Sequence, residues 1–315
     1  MSPLNQVLLL HRVQTSSAFP SAHVFPGGNV SAFHDGLVPP PDHPSRHVDG
    51  EAYRIAAIRE TFEESGILLA YNNGSGQLIE LPDSEREAGR KAIHKSEVPF
   101  RQWLAGKGGR PDIDNLIPFT RWVTPPQVPK RYSTQMYIYF LPISHSRASG
   151  GTSIGPLPTE TEAVIPPPTH DGGLEHTAAR FLPPREWLNL AGTGEVVLYP
   201  PQYTLLYLIS QFLNPTVPNA LSPEVLEQQR NELKEFIKRG DPPWGEACIC
   251  PVSGGRVADG REILSLHVPP PELKGTDRRG PKDYVVLVRP TKVGLRDLDI
   301  VLRKDLTIEH KDTKL

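Results

Sequence analysis

Three glutamates, Glu60, Glu63 and Glu64, have a spacing that places them on one edge of a helix. Residues three and four apart on a helix are surface neighbours, so three carboxylates crowd together there. Like charges in that arrangement disfavour an isolated helix. The conflict disappears when a hard dication sits among them, because Mg²⁺ prefers oxygen ligands. A local rule broken in this way marks a candidate site for metal-assisted chemistry. Taken alone, Glu-x-x-Glu-Glu also reads as a solvated acidic face.

The element that must hold these carboxylates is legible. Over residues 51–65, Ile55, Ile58 and Phe62 recur at three- and four-residue steps, the period of an amphipathic helix. Asp49 is placed to cap its start, and Gly66 suits a left-handed stop. The apolar stripe faces a core, so the acids ride on a rigid element. Arg59 is expected to pair with Glu51 if the helix start curls back, orienting the ligand set without binding metal. Pro26-Gly27-Gly28 reads as a tight turn whose glycines let backbone come close to a ligand.

The string from Glu51 to Ile67 resembles the box of the Nudix hydrolases, which runs Gly, five residues, Glu, seven residues, then Arg-Glu-aliphatic-x-Glu-Glu-x-Gly-aliphatic. Glu51, Arg59, Glu60, Glu63, Glu64, Gly66 and Ile67 stand at matching offsets, with Thr61 at an aliphatic position. The leading glycine is displaced: between Gly28 and Glu51 there are 22 residues where the box has five, an insertion of 17. A box interrupted here resembles the peroxisomal coenzyme A diphosphatase subgroup. Arg121-Trp122-Val123-Thr124-Pro125, followed by Lys130-Arg131-Tyr132-Ser133-Thr134, is similar to a second stretch of that subgroup, with Ser133 at its Asp position.

The resemblance implies an α/β fold, a Nudix α/β/α sandwich with a mixed central sheet, over residues 1–213. It implies Mg²⁺ or Mn²⁺ held by Glu60, Glu63 and Glu64, and hydrolysis of a nucleoside diphosphate linked to a second group. The expected substrate is coenzyme A or acyl-CoA, giving 3′,5′-ADP and (acyl-)phosphopantetheine. ADP-ribose or an NADH-type dinucleotide is the alternative substrate, and a non-catalytic Nudix nucleotide-binding module the alternative of another class. One carboxylate must accept the water's proton, and Glu175 is the candidate distant acid. Gly27, Gly28, Lys130 and Arg131 are the candidate substrate contacts. Trp122 reads as core.

Elsewhere the chain reads as a strand from residue 7 beginning so abruptly that a preceding strand is expected to be missing, a Pro- and His-rich surface loop over 34–50, a strand over 67–71 and helix over 83–106. Strands follow over 116–123 and 135–143, a Gly-, Ser- and Pro-rich excursion over 144–173, a strand over 175–182 and helix over 203–213. Residues 214–315 read as a less regular extension of unknown role, with an amphipathic helix over 222–239 and strand-like runs at 263–268, 284–288 and 298–302. His11, His34, His43 and His47 read as surface histidines.

A net charge of −2 provides no global basic field for nucleic acid. No apolar run reaches membrane-spanning length. The two cysteines, Cys248 and Cys250, are too few for a disulfide framework or a zinc site and read as ordinary thiols in a reducing compartment. The tail Thr313-Lys314-Leu315 is close to the Ser-Lys-Leu address of the peroxisomal import receptor, which makes the peroxisome the expected location and cytoplasm or mitochondrion the alternatives.

Overall fold

Apolar residues at helical spacing around residue 58 meet five other segments in one core, and that core organises the first part of the molecule. A computed structural model of the chain describes residues 1–13, 21–41, 43–143, 176–213, 222–291 and 294–306. Its strands are β1 (Val7–Arg12), β2 (His23–Val24), β3 (Ala70–Asn72), β4 (Gly109–Pro111), β5 (Ile117–Val123), β6 (Ser133–Ile138), β7 (His176–Leu182), β8 (Cys248–Ile249), β9 (Val252–Arg256), β10 (Glu262–Ser265), β11 (Tyr284–Thr291) and β12 (Gly294–Leu302). Its α-helices are α1 (Glu51–Ser65), α2 (Asp83–His94), α3 (Phe100–Gly106), α4 (Pro184–Thr193), α5 (Pro200–Ser210) and α6 (Pro223–Ile237). No described helix is long and apolar enough to cross a membrane.

The chain forms two compact units, neither continuous in sequence. The first comprises residues 1–117, 137–182 and 219–226. In it β1 pairs antiparallel with β2 on one edge and β7 on the other, with a register shift between His11 and Arg12. Val7 to Leu10 are buried at every position, as a strand covered on both faces requires. Ile55, Ile58 and Phe62 of α1 pack with Ile93, Phe100, Leu104, Ala70, Leu116 and Tyr139. Phe62 stacks on Trp103 at 5.1 Å between ring centroids.

The second unit comprises residues 118–136, 183–218 and 227–315. β8 pairs in parallel with β5, matching Arg121 to Cys248 and Trp122 to Ile249, and β6 takes the other edge of β5. β12, β11, β10 and β9 form an antiparallel sheet in that order. The region expected to be less regular therefore holds an ordered four-stranded sheet. Trp122 is buried with Ile249, Leu266, Val286 and Ile300, and its indole N–H donates to Thr120 Oγ1 at 3.0 Å. Parallel and antiparallel pairing both occur, within an α/β protein.

Several expected boundaries moved for identifiable reasons. The helix expected over 83–106 breaks between His94 and Phe100, where Ser96 takes φ +54° and Pro99 caps a new helix. Proline disfavours helical geometry in the residue before it. α5 starts earlier than expected, at Pro200, because proline is tolerated in a first helical turn. The surface-loop reading of 34–50 is corrected: His34, Asp35 and His47 are buried, and Pro44–His47 forms a short 3₁₀ turn. His34 and His47 are likewise not surface histidines.

Candidate functional site

α1 is fixed at both ends by arginines. Its N-cap is Gly50, with no side-chain cap, so the capping role expected of Asp49 is corrected. Asp49 accepts instead from Arg54, at 3.0 Å from Nε and 2.6 Å from Nη2, and from the Tyr137 hydroxyl. Arg54 Nη1 donates to the carbonyls of Ile113 (2.7 Å) and Leu116 (3.0 Å), tying the first turn to that segment. At the other end Gly66 adopts φ +76° and its N–H returns to Phe62 O at 2.9 Å. The last turn of a helix leaves carbonyls unpaired. Arg90 of α2 satisfies that of Glu63 with Nε (3.0 Å) and Nη2 (2.7 Å), a cation where the helix dipole favours one.

The Arg59 side chain is nearly buried and does not pair with Glu51. It grips Asp35 through two parallel bonds, Nε to Oδ1 and Nη2 to Oδ2, each 2.8 Å. Nη2 also donates to Asn29 O at 2.9 Å. Nη1 donates to Glu63 Oε1 at 2.8 Å and lies 2.9 Å from Glu60 Oε1. Burial penalises the guanidinium charge, but the hydrogen bonds it donates to Asp35 and Glu63 and the charge of Glu60 outweigh it, so its pKa stands above the ordinary value. Glu51 points outward to Arg101, at 2.8 Å. The expected pair fails on distance: eight helical residues span about 12 Å along the axis.

The three box glutamates fall into different environments. Burial pushes the Glu60 carboxyl up to about 7, with Arg59 opposing and the charges of Glu63 and Asp35 adding to the rise. Burial alone would also raise Glu63, but hydrogen bonds from His94 and Arg59 prevail and hold it below the usual carboxylate range. His94 Nδ1 lies 3.4 Å from Glu63 Oε2. Glu64 Oε2 accepts from the Gly27 N–H at 2.8 Å. A Cβ built at Gly28 would stand 2.5 Å from Glu60 Oε1. The two turn glycines, expected to admit a ligand, thus meet the glutamates themselves.

Among the described residues, no three His, Cys, Asp or Glu side chains gather as a ready metal cage. Glu60 and Glu63 converge on the Arg59 cation, while Glu64 is occupied by Gly27. The donor set nonetheless fits a hard divalent ion: all ligand atoms are carboxylate oxygens, and Glu60 is a buried acid whose charge is incompletely compensated. Gly28 is the cradle that gives its carboxylate room. Gly28→Ala is accordingly expected to displace Glu60 and reduce turnover at least tenfold, with a melting temperature within a few degrees of wild type. Steady-state kinetics beside a thermal melt checks this, and an unchanged rate would remove the role of Gly28.

Glu175 lies outside the described residues, as does the tail 313–315. Lys130 and Arg131 belong to the second unit. There Arg131 pairs with Glu272 and donates from Nε to Thr124 O at 2.9 Å, and Lys130 Nζ sits 5.4 Å from the Tyr132 ring centroid. Cys248 and Cys250 are buried free thiols; burial raises both, Cys250 to about 11, which leaves them unreactive near neutrality. Sequence reasoning missed Asp35, His94 and Arg90. The last two stand on the next helix with no spacing signal linking them to α1. Asp35 had no spacing signal either, since it lies in the inserted segment 24 residues before Arg59.

Residues 43–148 match the family model described as the NUDT19 Nudix domain. The acyl-coenzyme A diphosphatase NUDT19 of Gallus gallus is 30% identical over 253 residues, covering 66% of this chain and 61% of that protein. Its namesake from Xenopus laevis is 34% identical over 159 residues, covering 38% of this chain and 42% of that protein. The chain thus spans less than two thirds of either relative. A crystal structure of a NUDIX hydrolase from Alicyclobacillus acidocaldarius is similar with a TM-score of 0.44 and 23% identity, over 68% of this chain and 85% of that one. From the matched residues and the box spacing together, residues 43–148 are similar to a Nudix domain, and the chain resembles proteins named acyl-coenzyme A diphosphatase NUDT19.

Proposed function

We propose that this chain is a divalent-metal-dependent diphosphatase whose substrate is coenzyme A or an acyl derivative, split to 3′,5′-ADP and phosphopantetheine or its acyl form. The observation that carries the reading is the acidic edge of α1, with the Gly27-Gly28 turn built against it. The substrate class is supported by the likeness to proteins named acyl-coenzyme A diphosphatase.

Glu60, Glu63 and Glu64 hold Mg²⁺ or Mn²⁺, and Arg59 sets the directions of Glu60 and Glu63. When bound, the ion neutralises charge on the diphosphate oxygens and lowers the pKa of a water. The water oxygen forms a bond to one phosphorus, the bridging P–O bond breaks, and the leaving phosphate takes that electron pair. A carboxylate accepts the water's proton, with Glu175 as the proposed base. Lys130 and Arg131 are the proposed substrate contacts of the second unit, where Arg131 pairs with Glu272.

The test is turnover by purified protein of coenzyme A, dephospho-coenzyme A, ADP-ribose and NADH, with and without Mg²⁺ or Mn²⁺. Metal-dependent release of 3′,5′-ADP from coenzyme A, well ahead of the other three, is expected. Preference for ADP-ribose or NADH would replace the substrate, and no turnover of any would leave a nucleotide-binding module.

Metal uptake should depend on pH. With its carboxyl near 7, Glu60 is largely protonated at pH 6 and must lose that proton to become a ligand. Affinity for Mn²⁺ is therefore expected to rise by up to about tenfold per pH unit as pH climbs toward 7, then to flatten. Calorimetry at pH 6.0 and 8.0, in buffers of different ionisation enthalpy, measures the released proton. Equal affinities at both pH values would contradict it.

A further inference from the structure

Helix α1 presents its glutamates beside a guanidinium, and something must hold that guanidinium still. The box spacing leaves this task to Glu51, yet Glu51 is half exposed and engaged by Arg101. The buried partner comes instead from the inserted segment. The Asp35 side chain has no solvent exposure, and it takes both the Nε and Nη2 edges of Arg59. That leaves only Nη1 for Glu60 and Glu63. A planar fork held on two edges has little freedom on the third.

Asp35 is itself held on more than one side. Its Oδ2 accepts from the Ser31 N–H at 2.8 Å, and its own N–H returns to Ser31 O at 2.8 Å, closing a tight turn. The adjacent His34 is buried beneath that turn. Its Nδ1 accepts from the Phe100 N–H at 3.2 Å, and Nε2 stands 3.2 Å from Ser96 Oγ. The turn over 31–35 is therefore docked on the linker between α2 and α3, and its carboxylate has one place to go.

We propose that Asp35, contributed by the insertion in the box, is the positioning residue of the acidic edge, and that it fixes the Arg59 fork which orients Glu60 and Glu63. Glu51 is a surface ion pair without that role. The inference rests on the metal-dependent reading above and adds the residue through which the insertion serves the site. Partners of ligating groups set ligand direction, and removing one costs about 10- to 100-fold in metal affinity or activity.

The experiment compares wild type, Asp35→Asn, Asp35→Glu and Glu51→Gln. Free Mn²⁺ is titrated by electron paramagnetic resonance, the Arg59 Nε–H resonance is followed in metal-free protein, and kcat and KM are measured separately with coenzyme A. Expected for Asp35→Asn are loss of the protected Nε–H signal, Mn²⁺ affinity down at least tenfold, kcat down at least tenfold and KM within threefold. Glu51→Gln stays within twofold of wild type throughout. Should Asp35→Asn fail to fold, Asp35→Glu retains the charge but moves the carboxylate by one methylene, and a weakened Mn²⁺ affinity in folded protein is expected. Wild-type Mn²⁺ affinity in either Asp35 variant overturns the inference, as does a Glu51→Gln loss of equal size. A wild type that takes up no Mn²⁺ sinks the functional reading and this inference with it, an outcome distinct from equal binding by wild type and variant.

Discussion

Glu63→Gln is expected to lower turnover of coenzyme A by about three orders of magnitude, the scale of removing a group that acts in the transition state. Of the three box acids, Glu63 is the one held below the usual carboxylate range, so it is fully ionised across neutral pH. One oxygen accepts from Arg59 and the other faces His94. Glutamine preserves shape and helix propensity but brings no charge to a cation. The fold should persist, because the apolar stripe through Ile55, Ile58 and Phe62 is untouched. Kinetics with saturating Mg²⁺ or Mn²⁺, beside circular dichroism, checks both halves. A rate within tenfold of wild type would remove Glu63 from the metal set.

Arg59→Met should have the largest effect on stability. Four groups depend on this one guanidinium: the carboxylates of Asp35, Glu60 and Glu63 and the carbonyl of Asn29. The Asp35 side chain has no exposure, so water cannot replace the lost partner. Breaking a buried ion pair from one side costs about 3–5 kcal/mol, because the remaining charge is left uncompensated. For a folding unit of this size, a melting temperature lower by about 10 °C is expected. Arg59→Lys should recover only part of it, since an ammonium cannot match a carboxylate with two parallel bonds. A melt within about 2 °C of wild type for Arg59→Met would show that Asp35 finds another partner.

Both predictions concern residues visible in the sequence, but visible to different degrees. The helix and its glutamates were legible because both follow from period 3.6 within fifteen residues. The Gly66 stop was legible for the same reason, since a left-handed terminus selects glycine. The partner of Arg59 was not. Asp35 lies 24 residues upstream in a segment whose proline and histidine content resembles that of a surface loop, and only its burial marks it as part of the site. The helix break before Pro99 was legible in principle, from the restriction proline imposes on Val98.

By itself, the sequence determined the α1 register, the identity and edge of the three acids, the inert character of two isolated cysteines, and a Nudix resemblance strong enough to name a reaction class. Each rests on local spacing or composition, where neighbours along the chain are also neighbours in space. The tertiary structure alone decided that Arg59 turns to Asp35 and not to Glu51, that Gly27 and Gly28 abut Glu64 and Glu60, and that β5 pairs in parallel with β8, from Arg121 to Cys248. Those contacts join residues far apart in sequence. They are selected by which buried charges and backbone groups find partners once the core has closed, and no periodicity records that choice.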